Sequence, residues 1–386
     1  MRILYSFPYA LGAPGVGTTA AQQVLGLAKR NHNLTVFSGS IHPSLSTVAF
    51  AHRTTMTIGG VRVPHRVLGM DRSMALHDFR VAQYLQQNAA SYDAVHCWPG
   101  VALHTARAAA AAGLPALREV PNTHTANAYE VVAKLCDELD VELPRGHSHR
   151  MNPGRLKREE AEYAASSALL VPSDHVQSTF IDRGVPREKL LRHRYGFDAQ
   201  AFRPRPERAP GPFHAVFLGT VEPRKGLHTA LDAWRRSQAY KQARFSIYGK
   251  VVDGYRKTID NYLPMPGVTV YDFTDDPAAV LASADALILP SFEEGSALVT
   301  YEAQGCGAAP VVSTAAGAQC EHGVTGLLHE PGDVATLAGQ ISRLIAEPDL
   351  LARLRSAVLG QRDQLTWEAA AERLEACYEE ARAAMR

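Results

Sequence analysis

Residues 215–236, AVFLGTVEPRKGLHTALDAWRR, hold the pattern on which the fold turns. An apolar run of strand length, 215–218, stops at Gly219, and 227–236 has the 3.6-residue period of an amphipathic helix. Between them, Arg224 and Lys225 stand side by side before Gly226, at the helix start. Two cations beside the free N–H groups of a helix N-terminus form a diphosphate site, although two solvated charges on a turn read equally well from this stretch alone.

The same strand–turn–helix unit recurs along the chain. In the first half, strands are expected at 2–7, 34–38, 94–97, 116–119 and 168–171, and helices at 20–30, 75–90, 102–112 and 155–164. In the second half, strands are expected at 245–248, 268–271, 286–289 and 310–312, helices at 278–284 and around 296–305, and nearly all of 334–385 reads as helix. Strands alternating with helices predict parallel sheets covered on both faces. Residues 203–213, RPRPERAPGPF, are the best linker. The fold class expected is therefore α/β, with two Rossmann-like domains facing across a cleft. The first spans 1–205, the second 206–364, and a closing helix, 365–386, belongs with the first. Ligands of open α/β sheets sit at the carboxyl ends of the strands, which places the chemistry in the cleft.

The 386 residues fit two domains or three, and 40 Lys+Arg against 39 Asp+Glu exclude a nucleic-acid binder that works by bulk charge. Five cysteines, Cys97, Cys136, Cys306, Cys320 and Cys377, are widely spaced with no Cys-x-x-Cys, so neither a disulfide framework nor a zinc site is expected. The opening residues read as a strand and a loop rather than a leader, and no apolar run is long enough to span a membrane. A cytoplasmic location is expected.

Gly12, Gly15 and Gly17 follow the first strand and open a helix. As a P-loop the run lacks its lysine, since Thr18 stands there. As a dinucleotide fingerprint it lacks the acidic residue after the second strand, where Phe37-Ser38-Gly39-Ser40 occurs. What survives is a helix start suited to an anionic group, with Gly15 and Gly17 as its backbone.

Two further stretches bear on function. Residues 291–303, SFEEGSALVTYEA, follow a strand, so Glu294 lies at a strand's carboxyl end and Gly295 lets the backbone approach a ligand. Glu294 and Glu302 are eight apart and on a helix would share one face. A carboxylate beside apolar Leu298 and Ala303 needs hydrogen-bond donors, which sugar hydroxyls supply. A glycosidase-like carboxylate pair and two surface glutamates are the competing readings. Residues 321–333, EHGVTGLLHEPGD, form a turn before a helix.

Taken together these motifs resemble the donor half of retaining nucleotide-sugar glycosyltransferases of family four, with the GT-B fold. Lys225-Gly226, Glu294-x7-Glu302 and the 323–333 tail match the family pattern in order, and Tyr195-Gly196-Phe197-Asp198 looks like the segment closing the first domain. The resemblance covers 160–386 well and 1–160 weakly. It implies that Glu294 meets the transferred sugar, with the backbone of Gly295, Ser296, Ala297 and Leu298. It also implies that Glu302 meets the ribose, that Lys225 binds the diphosphate, and that His124 contacts the donor sugar. The family's arginine position is Thr220 here, and Arg224 is the candidate replacement. The implied activity is sugar transfer with retention of anomeric configuration, without cofactor or metal. The nucleotide diphosphate sugar is itself the donor substrate, and the acceptor is a carbohydrate, a lipid-linked molecule or a small molecule. No Asp-x-Asp occurs, and the pairs His147/His149 and Asp137/Asp140 give no metal geometry by spacing.

A sugar-nucleotide epimerase or hydrolase on the same fold is the alternative, with a nicotinamide-dependent oxidoreductase and a non-catalytic sugar-binding protein behind it. His147, Arg150, Arg155, Lys157 and Arg158 suit either a solvated helix face or an anionic lipid-linked acceptor, with peripheral membrane contact. Trp367, Ala370, Leu374 and Tyr378 form one helical face, which the resemblance implies packs back across the first domain.

Overall fold

The computed structural model describes residues 1–45, 50–55, 57–58, 61–62, 69–205 and 211–385. The first domain is built on seven parallel strands: β1 (Arg2–Leu11), β2 (Asn33–Ile41), β3 (Ala51–Thr54), β6 (Ala94–Cys97), β7 (Ala116–Glu119), β8 (Ala168–Val171) and β9 (Leu190–Arg192), in the order β3-β2-β1-β6-β7-β8-β9. A short antiparallel pair, β4 (Thr57–Ile58) and β5 (Val61–Arg62), stands apart. Among the described residues, the helices of this half are α1 (Val16–Lys29), α2 (Met70–Asn88), α3 (Leu103–Ala111), α4 (Thr125–Glu138), α5 (Pro153–Ala165) and α6 (Asp174–Ile181).

The second domain has six parallel strands: β10 (Phe213–Leu218), β11 (Ala243–Tyr248), β12 (Val268–Tyr271), β13 (Ala286–Leu289), β14 (Ala309–Ser313) and β15 (Leu327–His329), in the order β12-β11-β10-β13-β14-β15. Its helices are α7 (Leu227–Arg236), α8 (Arg256–Asp260), α9 (Pro277–Ser283), α10 (Leu298–Gly305), α11 (Val334–Ala346) and α12 (Pro348–Gly360). Central strands such as β6 and β13 are buried at every position, as parallel strands covered on both faces must be. Trp234 of α7 stacks on Phe245 of β11 at 5.1 Å and anchors one such face.

Three expectations are corrected. Strand β1 runs on past Phe7 to Leu11, because its pairing with β2 shifts register across Pro8 and then resumes. Helices α4 and α6 fall where none was expected. Helix α10 begins at Leu298, so Glu294 stands in the preceding loop and does not share a helical face with Glu302. Of the 203–213 linker, residues 206–210 lie outside the described residues.

The chain returns to the first domain through α13 (Trp367–Ala383). Trp367, Ala370, Leu374 and Tyr378 are all buried, and Leu374, Cys377, Tyr378 and Ala381 join the core of Ile3 and Tyr5. Contact with α1 is close: a Cβ on Gly26 would come within 2.5 Å of the Ala371 Cβ. Tyr378 Oη lies 2.6 Å from His96 Nδ1, and Arg373 Nε donates to the Arg192 carbonyl at 2.7 Å. At the crossing, Arg362 donates to the carbonyls of Ala199 (2.9 Å) and Phe202 (2.8 Å), tying the outgoing and returning segments together.

Candidate functional site

The site forms where β10 and β13 end. After β10 the chain makes a short 3-10 turn, Pro223–Lys225, and Gly226 then adopts a left-handed φ of 69°. A side chain there would lie 2.1 Å from the Pro290 carbonyl, so only glycine lets this turn press against the exit of β13. That contact delivers Arg224 and Lys225 to the loop carrying Glu293 and Glu294.

Arg224 Nη1 lies 2.9 Å from Glu294 Oε2, and its Nη2 lies 2.9 Å from Glu222 Oε1. It also donates to the Glu293 carbonyl at 2.9 Å. Lys225 Nζ donates to the other Glu294 oxygen. Burial opposes charge on Arg224, Glu222, Glu293 and Glu294, and the ion pairs prevail. Arg224 and Lys225 hold Glu294 below the usual carboxylate range, while Glu294, Glu222 and Glu293 raise Arg224. The two cations named from sequence therefore converge on the carboxylate named from sequence.

Glu302 sits apart in α10. Among the described residues no donor reaches its carboxylate, and burial alone pushes it up to about 7. Thr220 is exposed at the turn after β10. Gly15 caps α1 with a φ of 85° and open space in front of it, whereas Gly17 packs on the Ala10 carbonyl, 2.6 Å from where its Cβ would stand.

The loop before α10 departs from expectation. A Cβ on Gly295 would stand 1.8 Å from the Pro121 carbonyl, so its bareness admits the first domain's backbone and not a ligand. Ser173 Oγ of the first domain donates to the Gly295 carbonyl at 2.5 Å. Ser296 Oγ is engaged by the Gly317 carbonyl (2.8 Å) and Tyr301 (2.9 Å), and the Ala297 amide by the Ala316 carbonyl (3.1 Å). The amide of Leu298 opens α10 without an intrahelical acceptor.

His124 also differs. It caps α4, its Nδ1 accepting from the Ala126 amide at 3.2 Å, and its ring packs against Tyr163 and Phe180 of its own domain. Burial foremost lowers it to about 4, so the ring is neutral. The neighbouring Thr123 does cross the cleft, donating to Glu293 Oε1 at 2.9 Å.

Sequence reasoning named His147 and His149 but missed that both reach the second domain. His147 Nε2 lies 3.1 Å from Glu222 Oε2, and His149 Nε2 lies 3.0 Å from Glu293 Oε2. Glu222 and Glu293 are both held down at about 2, burial being outweighed by these histidines and Arg224. His147, His149 and Glu222 offer ligand atoms within 4.8 Å of one another, a set able to hold a divalent cation and set aside on spacing alone.

Beside His147, a cavity of about 510 Å³ opens in the first domain, lined by Tyr9, Met70, Tyr129 and Arg155 among others. Among the described residues, no helix is long and apolar enough to cross a membrane.

Comparison with known proteins agrees with this architecture. Residues 14–200 match the family model described as Glycosyltransferase Family 4, and 212–347 match that of Glycosyl transferases group 1. The chain is 32% identical over 148 residues to the colanic acid biosynthesis glycosyltransferase WcaL of Escherichia coli K12, covering 34% of this chain and 35% of that protein. It is 25% identical over 281 residues to D-inositol 3-phosphate glycosyltransferase of Rhodococcus erythropolis, covering 68% and 63%. The matched stretches span about a third to a half of the first relatives' lengths. Among solved structures, sucrose-phosphate synthase of Thermosynechococcus elongatus superposes with a TM-score of 0.73 at 18% identity over all of both chains. Anabaena HepE in complex with UDP-glucose superposes at 0.67 and 18%, over 98% and 99%. With matches in both halves and the GT-B architecture throughout, the chain belongs to the family-four glycosyltransferases.

Proposed function

We propose that this chain transfers a hexosyl group from a nucleoside diphosphate sugar to an acceptor, with retention of configuration, in polysaccharide or glycoconjugate synthesis. The observation that carries the reading is the clamp of Arg224 and Lys225 on Glu294 at the cleft. An incoming diphosphate competes with Glu294 for both cations. The carboxylate so released accepts hydrogen bonds from the sugar's hydroxyls, next to the bond that breaks. Charge developing on the leaving diphosphate is met by Arg224, Lys225 and the free amide of Leu298, groups already oriented before reaction. Glu302, lacking a donor of its own, receives the ribose hydroxyls. Gly15 and Gly17 bring the start of α1 to the donor's phosphates from the opposite wall.

The acceptor occupies the 510 Å³ cavity of the first domain. Half-buried Tyr9 stands on its wall, placed to pack against a sugar, and Arg155 favours an anionic or lipid-linked acceptor. The complex of HepE with UDP-glucose supports a donor of this class. Protein cations offset the diphosphate, so the reaction proceeds without a divalent metal, and the enzyme works in the cytoplasm.

A thermal-shift panel of UDP-, GDP-, ADP- and dTDP-sugars, followed by NMR of the product's anomeric proton, tests this. A ligand at 100 times its Kd adds about 2.7 kcal/mol. Stabilisation by one donor class and a product of unchanged anomeric configuration are expected. Release of free sugar or an epimer from donor alone, with no transfer, would identify a hydrolase or epimerase.

A further inference from the structure

Strand β13 separates the cation cluster from a second, larger cavity of about 580 Å³, at the ends of β14 and β15. It is walled by both domains and by the returning segment before α13, on the flank of the Gly295 contact away from Lys225. Its volume is within the range of small-molecule sites. No residue lining it belongs to the donor or acceptor machinery described above.

Two cations line this cavity, and they differ. The charge of Arg192 is met by Asp174 at 2.8 Å. Arg194 has no hydrogen-bond acceptor among the described residues, and its Nε is sealed from solvent. A half-buried guanidinium without a counter-charge is costly, and an anion entering the cavity removes that cost. His175 Nε2, on the same wall, is likewise sealed and unpartnered. The side chains of Gln319, Glu321 and Gln364 also line the space, and among the described residues none of them has a hydrogen-bond partner. Amide–carboxylate–amide is a set that pairs with neighbouring hydroxyls, both donating and accepting.

We propose that this cavity binds a sugar phosphate, its phosphate on Arg194 and its hydroxyls on Gln319, Glu321 and Gln364. Occupancy reaches the reaction through Ser173, which lines the cavity and holds the Gly295 carbonyl beside Glu294. Gly317, also on the wall, packs 2.3 Å from that carbonyl, measured from where its Cβ would stand. A ligand bridging both domains favours the arrangement in which these contacts are made, so it and the donor raise each other's affinity by one common factor. This coupling rests on the role proposed for Glu294; the site itself does not.

Calorimetric titration with a panel of hexose 1- and 6-phosphates, and with glucose and inorganic phosphate as part-ligands, decides it. At least one sugar phosphate should bind at least tenfold tighter than either part. Arg194→Gln should weaken it tenfold or more, and so should Gln319→Trp, which fills the cavity from its rim. Lys225→Ala, which disables the donor site, should leave it within twofold. Unchanged melting temperatures establish that the variants fold. Binding lost in Lys225→Ala but kept in Arg194→Gln would put the anion in the donor cleft and overturn the proposal. Absence of binding across the panel, or phosphate alone binding as tightly, would overturn it too. A site that binds without altering donor affinity refutes the coupling and leaves the assignment of the cavity standing.

Discussion

Arg224 Nη1 and Glu294 Oε2 meet at 2.9 Å, with Lys225 on the carboxylate's other oxygen, so cation and carboxylate satisfy each other before any donor arrives. This pairing sets the order of events at the site. In the function proposed, the diphosphate would have to displace a carboxylate, which would become available only then.

Lys225→Ala removes one of the two cations that a diphosphate would take over. A hydrogen bond to a charged group is worth about 1.5–3 kcal/mol, so nucleoside diphosphate binding should weaken roughly ten- to a hundredfold. Free nucleoside binding should not change. Calorimetry on both ligands checks this, and equal diphosphate affinity in variant and parent would refute the phosphate role.

Glu294 and Glu302 should fail differently. Glu302→Gln removes a contact made equally before and during reaction and should mainly raise the donor KM, whereas Glu294→Gln should mainly lower kcat. Both variants acting only on kcat, with donor binding intact, would favour a glycosidase-like pair instead.

The position of Glu302 adds a pH signature. Burial lifts it to about 7, so below that pH it is largely protonated, and above it the carboxylate is free to accept from ribose hydroxyls in the role proposed for it. Donor affinity should rise as pH passes upward through about 7, and the rise should vanish in Glu302→Gln. A wild-type profile that is flat from pH 6 to 8 contradicts the ribose assignment.

Acid stability follows from groups of the opposite kind. Glu159, Glu222 and Glu293 each lie near 2, against an ordinary 4.5, because their ion-pair partners overcome burial. A carboxylate lowered in the folded state stabilises it fully above the unfolded value, and that stability is lost as pH falls from about 4.5 toward 2. Urea midpoints at pH 6, 4 and 3 should fall in that order, and the pH 4 to 3 drop should shrink in Glu159→Gln. Equal midpoints would show that these pairs contribute nothing.

Activity should persist in excess EDTA if Arg224 and Lys225 meet the diphosphate as proposed. Loss restored by magnesium or manganese would bring a metal into the chemistry, with His147, His149 and Glu222 as the ligands to substitute first.

The central strands of both sheets were legible because parallel strands covered on both faces are short unbroken apolar runs, as at 94–97 and 286–289, whereas the short outer strands β3, β9 and β15 were missed. Helix α4 was missed as well, because its cap is a histidine and not the Ser, Thr, Asp or Asn that marks most helix starts. Arg224, Lys225 and Glu294 were readable as residue types at strand ends, and their convergence was implied only by the family resemblance. The pairing of His147 with Glu222 and of His149 with Glu293 was not readable. Each joins a loop of one domain to a strand exit of the other, and no local spacing encodes that meeting. Gly295 misled for a related reason: a bare backbone position announces a close approach without saying to what.

The return of α13 to the first sheet has a consequence for biosynthesis. Leu374 and Tyr378 complete a core begun at Ile3, so the first domain to leave the ribosome lacks part of its interior until the second has been made. The second domain, contiguous from 211 to 360, is free to fold first, while α1 waits with the Gly26 face uncovered. A chain severed in the linker should therefore yield a self-sufficient later half and an earlier half that depends on the peptide 367–383 supplied in trans.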